Sequence, residues 1–445
     1  MILGVFTLVF ISAIGWYACL DPIKTNSDKT TELIVDWYKF FLEADRYSEG
    51  YRSPNSARSF GFIGLAALES ARPAFEGELN TTANIIPGYQ ALKFEGHEPF
   101  IVQAALNACY RRMFSKFYLT APTEVYNHSE TLFAKWDQYL LKHHSKSQIE
   151  GSKKFGDSVA ISIFEYSSHD SFGHQSYLHI YDKQYSNLTG PGQWQVSEEF
   201  PMPPLLPFWG KVRPFIINLN EFLAKPLPEY STLAGSEYYT GALEVLTISS
   251  PLSFENKWIA EFWSDDHPGL TFTPSSRWIS IANQVICKEL PPLEKTLETY
   301  LKLGIGLNDA AIACWNSKYY YNLERPETYI HKVFNKNWQP LFHTPNFPSY
   351  PSGHSIFGAS ACEVLTSLYG GNYEMVDHSH EGRDEFMGKP RKFHSFYEMA
   401  FENAYSRIAL GVHYRMDCEE GLRLGFLVGK KASALQIFKQ DFSSL

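Results

Sequence analysis

Apolar residues recur at helical spacing along almost the whole of this 445-residue chain, while runs of alternating polar and apolar residues are scarce and short. That pattern predicts helices over Asp28–Asp45, Ala57–Ala71, Phe100–Phe117, Ser129–Leu141 and Gln148–Tyr166. It predicts more over Ser236–Ile248, Phe254–Trp263, Ser276–Cys287, Pro292–Trp315, His354–Tyr369, Phe393–Leu410 and Met416–Phe438. The Ala57–Ala71 stretch is rich in small residues and suited to close packing inside a bundle. Between the two groups, Ser167–Phe215 turns to Tyr, Gly, Ser and Pro; its aromatic content marks an ordered excursion rather than a solvated linker. The expected fold class is all-α, built from helical bundles.

Composition narrows the function classes. With 44% hydrophobic and 16% aromatic residues the chain can bury a large core, and 20% charged residues is ordinary for a globular protein. A net charge of -9 argues against nucleic acid as a partner, since no broad basic face is available to neutralise phosphates. Any cationic cluster must therefore be local.

The first 19 residues form an apolar stretch that gives way to DPIKTNSDKT, the pattern of an export segment. It lacks the usual basic start, so either the true start lies upstream or the signal is atypical. The expected location is periplasmic or secreted. Ala18–Cys19 can also be read as the end of a loose lipoprotein box, with lipid anchoring at Cys19, although Trp16 and Tyr17 fit that box poorly. No C-x-x-C pair occurs among the cysteines, and the sparse set is expected as buried free thiols. One helical domain over 28–440 is expected, with an N-terminal half near 28–215 and a second half near 236–440.

Three segments of the last third carry the chemistry. They are KYYYNLERP (Lys318–Pro326), PSGH (Pro351–His354) and SRIALGVHYRMD (Ser406–Asp417). Together they supply Lys318, Arg325 and Arg407 as permanent cations, a Ser352-Gly353 turn, and the imidazoles of His354 and His413. A compact oxyanion needs that set: charged donors around its equator, backbone amides close by, and imidazoles on its axis. Lys318 and Arg325 stand seven apart, two turns if one helix carries both. A solvated basic stripe is the ordinary fate of such a pair, but the aromatic flank of Trp315, Tyr319, Tyr320 and Tyr321 favours a site; Glu324 reads as no more than a surface partner. Ser352 suits a helix N-cap, and the helix it starts offers unpaired amides. Asp417 lies one turn after His413, where its carboxylate can take the second ring N–H and hold the tautomer.

The ordered pattern K-x6-R-P, P-S-G-H, S-R-x5-H-x3-D resembles the superfamily of vanadium-dependent haloperoxidases and type 2 phosphatidic acid phosphatases. SPNSARSFGFIGLAALESA (Ser53–Ala71), GPGQW (Gly190–Trp194) and FWGKVRPF (Phe208–Phe215) resemble the bacterial haloperoxidases outside the motif. The resemblance implies a fold of two four-helix bundles and vanadate as cofactor. It implies that Lys318, Arg325, Ser352, Gly353, Arg407 and His413 bind vanadate and that His413 is the sole protein ligand of vanadium. His354 would take a proton from hydrogen peroxide, and Lys318 would polarise the peroxide. Asp266, in the tract Trp263–Asp266, is the expected partner of Arg325, and Trp315 and Phe347 the expected walls of the halide pocket.

The cage alone does not separate oxidation from hydrolysis. In the phosphatases the residue matching His413 is the nucleophile, so an acid phosphatase is the alternative of another class. Trp315 and Phe347 favour halide oxidation. Iodide is the expected halide, with a bromide-preferring enzyme as the nearer alternative, and small organic molecules would be the final acceptors.

Overall fold

The computed structural model describes residues 29–75, 77–182, 184–186, 188–196, 201–265 and 267–439. The export segment with Cys19, and Asp266, lie outside the described residues. Among the described residues the architecture is helical, as the periodicity predicts: thirteen α-helices and one two-stranded sheet. No helix among them is long and apolar enough to cross a membrane.

Helices α1 (Lys29–Tyr47), α2 (Ser53–Ala71), α3 (Val102–Phe117), α4 (Thr123–Leu140) and α5 (Lys146–Ser168) make the N-terminal group. After the excursion come α6 (Glu237–Ser249), α7 (Phe254–Phe262), α8 (Pro274–Glu289), α9 (Leu293–Tyr321), α10 (Pro326–Val333), α11 (Gly353–Tyr369), α12 (Phe396–Leu410) and α13 (Arg415–Ser433). The antiparallel pair Met375–Asp377 and Arg391–Phe393 sits between α11 and α12, so Phe393, expected in a helix, ends a strand instead. Helix α9, 29 residues long, is the shared spine. Helix α2 packs along it from one bundle, and α11 and α13 pack along it from the other. One hydrophobic core runs through both groups.

Helix α13 lies unusually close on α11 because it presents glycine every fourth residue, at Gly421, Gly425 and Gly429. A Cβ on Gly425 would stand 2.4 Å from the Ile356 carbonyl oxygen, so no other residue fits without moving a backbone. This contact brings the start of α13, with Asp417, against the start of α11, with Ser352: the Ser352 N–H donates to the Asp417 carbonyl at 2.9 Å.

Lys318 and Arg325 do not share a helix. Asn322 adopts a left-handed conformation (φ 50°) and ends α9, its N–H closing on the Lys318 carbonyl at 2.9 Å. Arg325 is extended, and Pro326 starts α10, a helix that the periodicity did not reveal, by fixing φ where no N–H is needed. The excursion grips this turn: Trp194 N–H donates to Asn322 O (2.7 Å) and Glu324 N–H to Gly192 O (2.9 Å). Its far end is fixed by the buried Asp309 carboxylate of α9, which accepts the N–H groups of Phe215, Ile216 and Ile217 at 2.7–3.0 Å. Four cysteines (Cys109, Cys314, Cys362 and Cys418) are free and buried, as expected. Cys287 departs from that expectation and is disulfide-bonded.

Candidate active site

Each of the three sequence segments delivers its side chains from a helix end. Lys318 comes from the last turn of α9, Arg325 from the residue capping α10, His354 and Gly353 from the first turn of α11, Arg407 from the last turn of α12. His413 follows Gly411, whose φ of 92° turns the chain between α12 and α13. Lys318, Arg325, Ser352, His354, Arg407, His413 and Asp417 are all buried, with Lys318 at 0% and Arg407 at 2% exposure. Ser352 caps α11, its hydroxyl accepting the Ser355 N–H at 3.4 Å.

The 345–351 loop holds the cations in place. Lys318 Nζ donates to the carbonyls of Pro348 (2.9 Å) and Ser349 (2.8 Å). Arg325 Nε donates to Phe347 O at 3.0 Å, and its Nη1 to Val412 O at 2.8 Å. The Phe347 ring lies 5.1 Å from Lys318 Nζ and 4.9 Å from the Arg325 guanidinium carbon, a desolvated cation–π arrangement. Trp315 packs on the same ring with centroids 5.3 Å apart. Trp315 and Phe347 thus form an apolar wall of the pocket that His354, Arg407 and His413 also line.

The tautomer of His413 follows from its neighbours. Arg325 Nη1 stands 3.1 Å from His413 Nε2, and a guanidinium only donates, so Nε2 carries a lone pair. The proton then sits on Nδ1, 2.9 Å from Asp417 Oδ2. That same oxygen takes the Tyr414 N–H at 3.1 Å and the Ser349 hydroxyl. The expected His413–Asp417 pair is therefore present, buried rather than solvated, and its outcome is an imidazole presenting Nε2 to the cations.

Burial shifts the titrating groups of this site. Burial pulls Lys318 down to about 7, with the neighbouring Arg325 adding to the effect. Burial and then the cations hold both histidines well below the usual imidazole range, so both are neutral at physiological pH. Burial pushes the Asp417 carboxyl up, opposed by its bond from Ser349. Lys318, Arg325 and Arg407 with an acceptor imidazole make a donor-rich site suited to an anion. No group of three or more His, Cys, Asp or Glu able to chelate a cation exists among the described residues. The donor set fits a compact oxyanion such as vanadate: fixed cations, the α11 amide end with Gly353, and one lone pair from His413.

Some residues differ from expectation. Asp265 accepts from His380 Nε2 at 2.6 Å and pairs with Arg277 at 3.3 Å, so it is engaged in a separate buried network with Asp377. Asp266, the expected partner of Arg325, lies outside the described residues. Glu324 is not a surface residue: it is 4% exposed, and burial pushes its carboxyl to about 7. The excursion covers it by pairing with its backbone. Ser349 was missed by motif reading, because its value lies in bridging Lys318, Asp417 and His413, which only the fold brings together. Asn403, whose side chain donates to the His354 carbonyl at 3.0 Å, was missed for the same reason.

Comparisons agree with this geometry. A model of the VCPO second helical-bundle domain matches residues 298–337 and 333–440. The vanadium chloroperoxidase of Curvularia inaequalis is 24% identical over 279 residues; the match spans 47% of this chain and 46% of that protein, about half its length. The crystal structure of the first bacterial vanadium-dependent iodoperoxidase superposes with a TM-score of 0.79 at 27% identity, covering 92% of this chain and 98% of that one. A holo-type bacterial vanadium-dependent chloroperoxidase shares the fold, with a TM-score of 0.61 at 15% identity over 85% of this chain and 92% of that one. In its second helical bundle and in its overall fold, the chain is thus similar to vanadium-dependent haloperoxidases.

Proposed function

We propose that this protein is a vanadate-dependent haloperoxidase that oxidises iodide with hydrogen peroxide to hypohalous acid. The observation that carries the reading is the lone pair of His413 Nε2, presented among three buried cations with His354 alongside in the same pocket. Bound vanadate would supply a Lewis-acidic centre that activates hydrogen peroxide without changing its own oxidation state. Lys318, Arg325, Arg407, Ser352 and the Gly353 amide would neutralise its oxygens, and His413 would hold it through Nε2. His354, kept neutral by burial, would accept a proton from the incoming peroxide. Lys318 would direct its charge at the reacting oxygens. Trp315 and Phe347 would give the halide an apolar approach, which suits a large, weakly hydrated ion such as iodide. The product would then oxidise or halogenate small organic acceptors.

Two further parts of this reading concern setting. Export to the periplasm or the medium is supported by the apolar first 19 residues. Anchoring through a lipid on Cys19 is the alternative to free secretion. Functionally, an imidazole with its Nε2 lone pair turned towards the cations also suits attack on a phosphate ester, so the acid phosphatase reading is the competitor.

Purified protein loaded with orthovanadate and given peroxide with iodide, bromide or chloride in separate assays should form triiodide fastest and oxidise little chloride. Aryl phosphate hydrolysis by vanadate-free protein should be slow and inhibited by vanadate. Efficient hydrolysis with no halide oxidation at any vanadate loading would replace this reading with the phosphatase. Strong bromide turnover would keep the class and change only the halide.

A further inference from the structure

Part of the pocket's lining comes from the N-terminal half of the chain. Arg52, Ser53 and Pro54, at the start of α2, line it together with Pro274, at the start of α8. Gly353, at the start of α11, lines it as well. The first turns of three helices, 19, 16 and 17 residues long, thus meet at one cavity. Neither Arg52 nor Thr273, the N-cap residues of α2 and α8, caps its helix with its side chain. The amide ends of these helices keep their partial positive charge. Asp45 answers part of it, accepting the Thr273 N–H at 2.9 Å and the Ser56 hydroxyl, but it does not line the pocket. Among the described residues no Asp or Glu lines the pocket.

Arg52 adds a full charge to this rim. It is half-buried, and its guanidinium donates through Nη1 to the Tyr51 carbonyl at 2.7 Å. No ion pair joins it to a described carboxylate. The chain as a whole carries -9, so an anion approaching from bulk meets a repulsive field until it nears this rim.

We infer that Arg52 is an anion-steering residue at the mouth of the site, drawing in both the oxyanion and the halide from an otherwise acidic surface. Its role is in association. It does not contact the reacting atoms, and it leaves neutral hydrogen peroxide unaffected. The halide arm rests on the proposed haloperoxidase activity; the oxyanion arm does not.

The test compares wild type, Arg52→Gln and Arg52→Lys. Vanadate-free protein is mixed with orthovanadate, desalted after set intervals and assayed for bound vanadium, at low and high salt. Arg52→Gln should lower the association rate roughly three- to tenfold at low salt. It should leave the dissociation rate unchanged and flatten the salt dependence. Arg52→Lys should keep most of the wild-type rate. In turnover, Arg52→Gln should raise the iodide KM by a similar factor, with kcat and the peroxide KM held. An unchanged association rate and salt dependence in Arg52→Gln overturns the inference. So does an equal fall in Arg52→Lys, which would assign Arg52 to packing rather than charge. If wild type oxidises no halide while the association rate still follows charge at position 52, the haloperoxidase reading falls and the steering role stands.

Discussion

Arg325 donates to His413: Nη1 lies 3.1 Å from Nε2, so the cation reads the imidazole's lone pair and fixes its tautomer from the pocket side. Asp417 fixes the same tautomer from behind, through Nδ1 at 2.9 Å. The two residues converge from different helix ends on one ring. That convergence makes His413 a ligand-ready base rather than a titrating surface group.

His413 and His354 should therefore fail differently. His413→Ala removes the Nε2 lone pair and should abolish vanadate binding in equilibrium dialysis. His354→Ala should retain most of the binding and lose turnover by roughly 10²–10⁴-fold, the range for a lost general base. Native vanadate affinity in His413→Ala would show that another atom holds the group.

The chemistry of the cage, cationic and without a chelating cluster, sets its cofactor choice. Protein stripped with chelator and phosphate should lose peroxidase activity and regain it with orthovanadate, not with iron or zinc. Recovery with iron alone would remove the assignment.

Lys318 gives a pH signature in the vanadate-free protein. Its folded value, about 7, lies below its ordinary 10.5, so between those values the unfolded chain binds the extra proton. The sign is then fixed: this residue makes the fold more stable as pH rises from about 7 towards 10, and costs stability below it. Calorimetric Tm values of wild type and Lys318→Met should accordingly differ most at and below pH 7, and the gap should narrow steadily as pH rises towards 10.5. A constant gap would mean that Lys318 remains charged in the vanadate-free site.

Packing beneath the site is equally testable. Gly425→Ala would place a methyl 2.4 Å from the Ile356 carbonyl oxygen. It should cost about 1–3 kcal/mol in denaturant unfolding. Since α13 would shift from α11, vanadate affinity should fall too. An unperturbed Cm would show that the two helices have slack the structure denies them.

The sequence by itself determined the helical class, the order of the helices and the cage residues. Periodicity is a local signal, and each of the three motifs is a short contiguous stretch at helix ends. Its errors were local as well. Spacing left open that Lys318 and Arg325 share one helix, because a left-handed Asn322 leaves no mark in a hydrophobic pattern. What only the tertiary structure decided is which groups meet. Ser349 joins Lys318 to Asp417 and His413, Asn403 holds the His354 carbonyl, and Arg52 reaches the mouth from some three hundred residues upstream. The state of each charged group was decided there too. Desolvation and the field of neighbouring cations pull Lys318 down and push Asp417 up, and both depend on burial that no linear spacing contains.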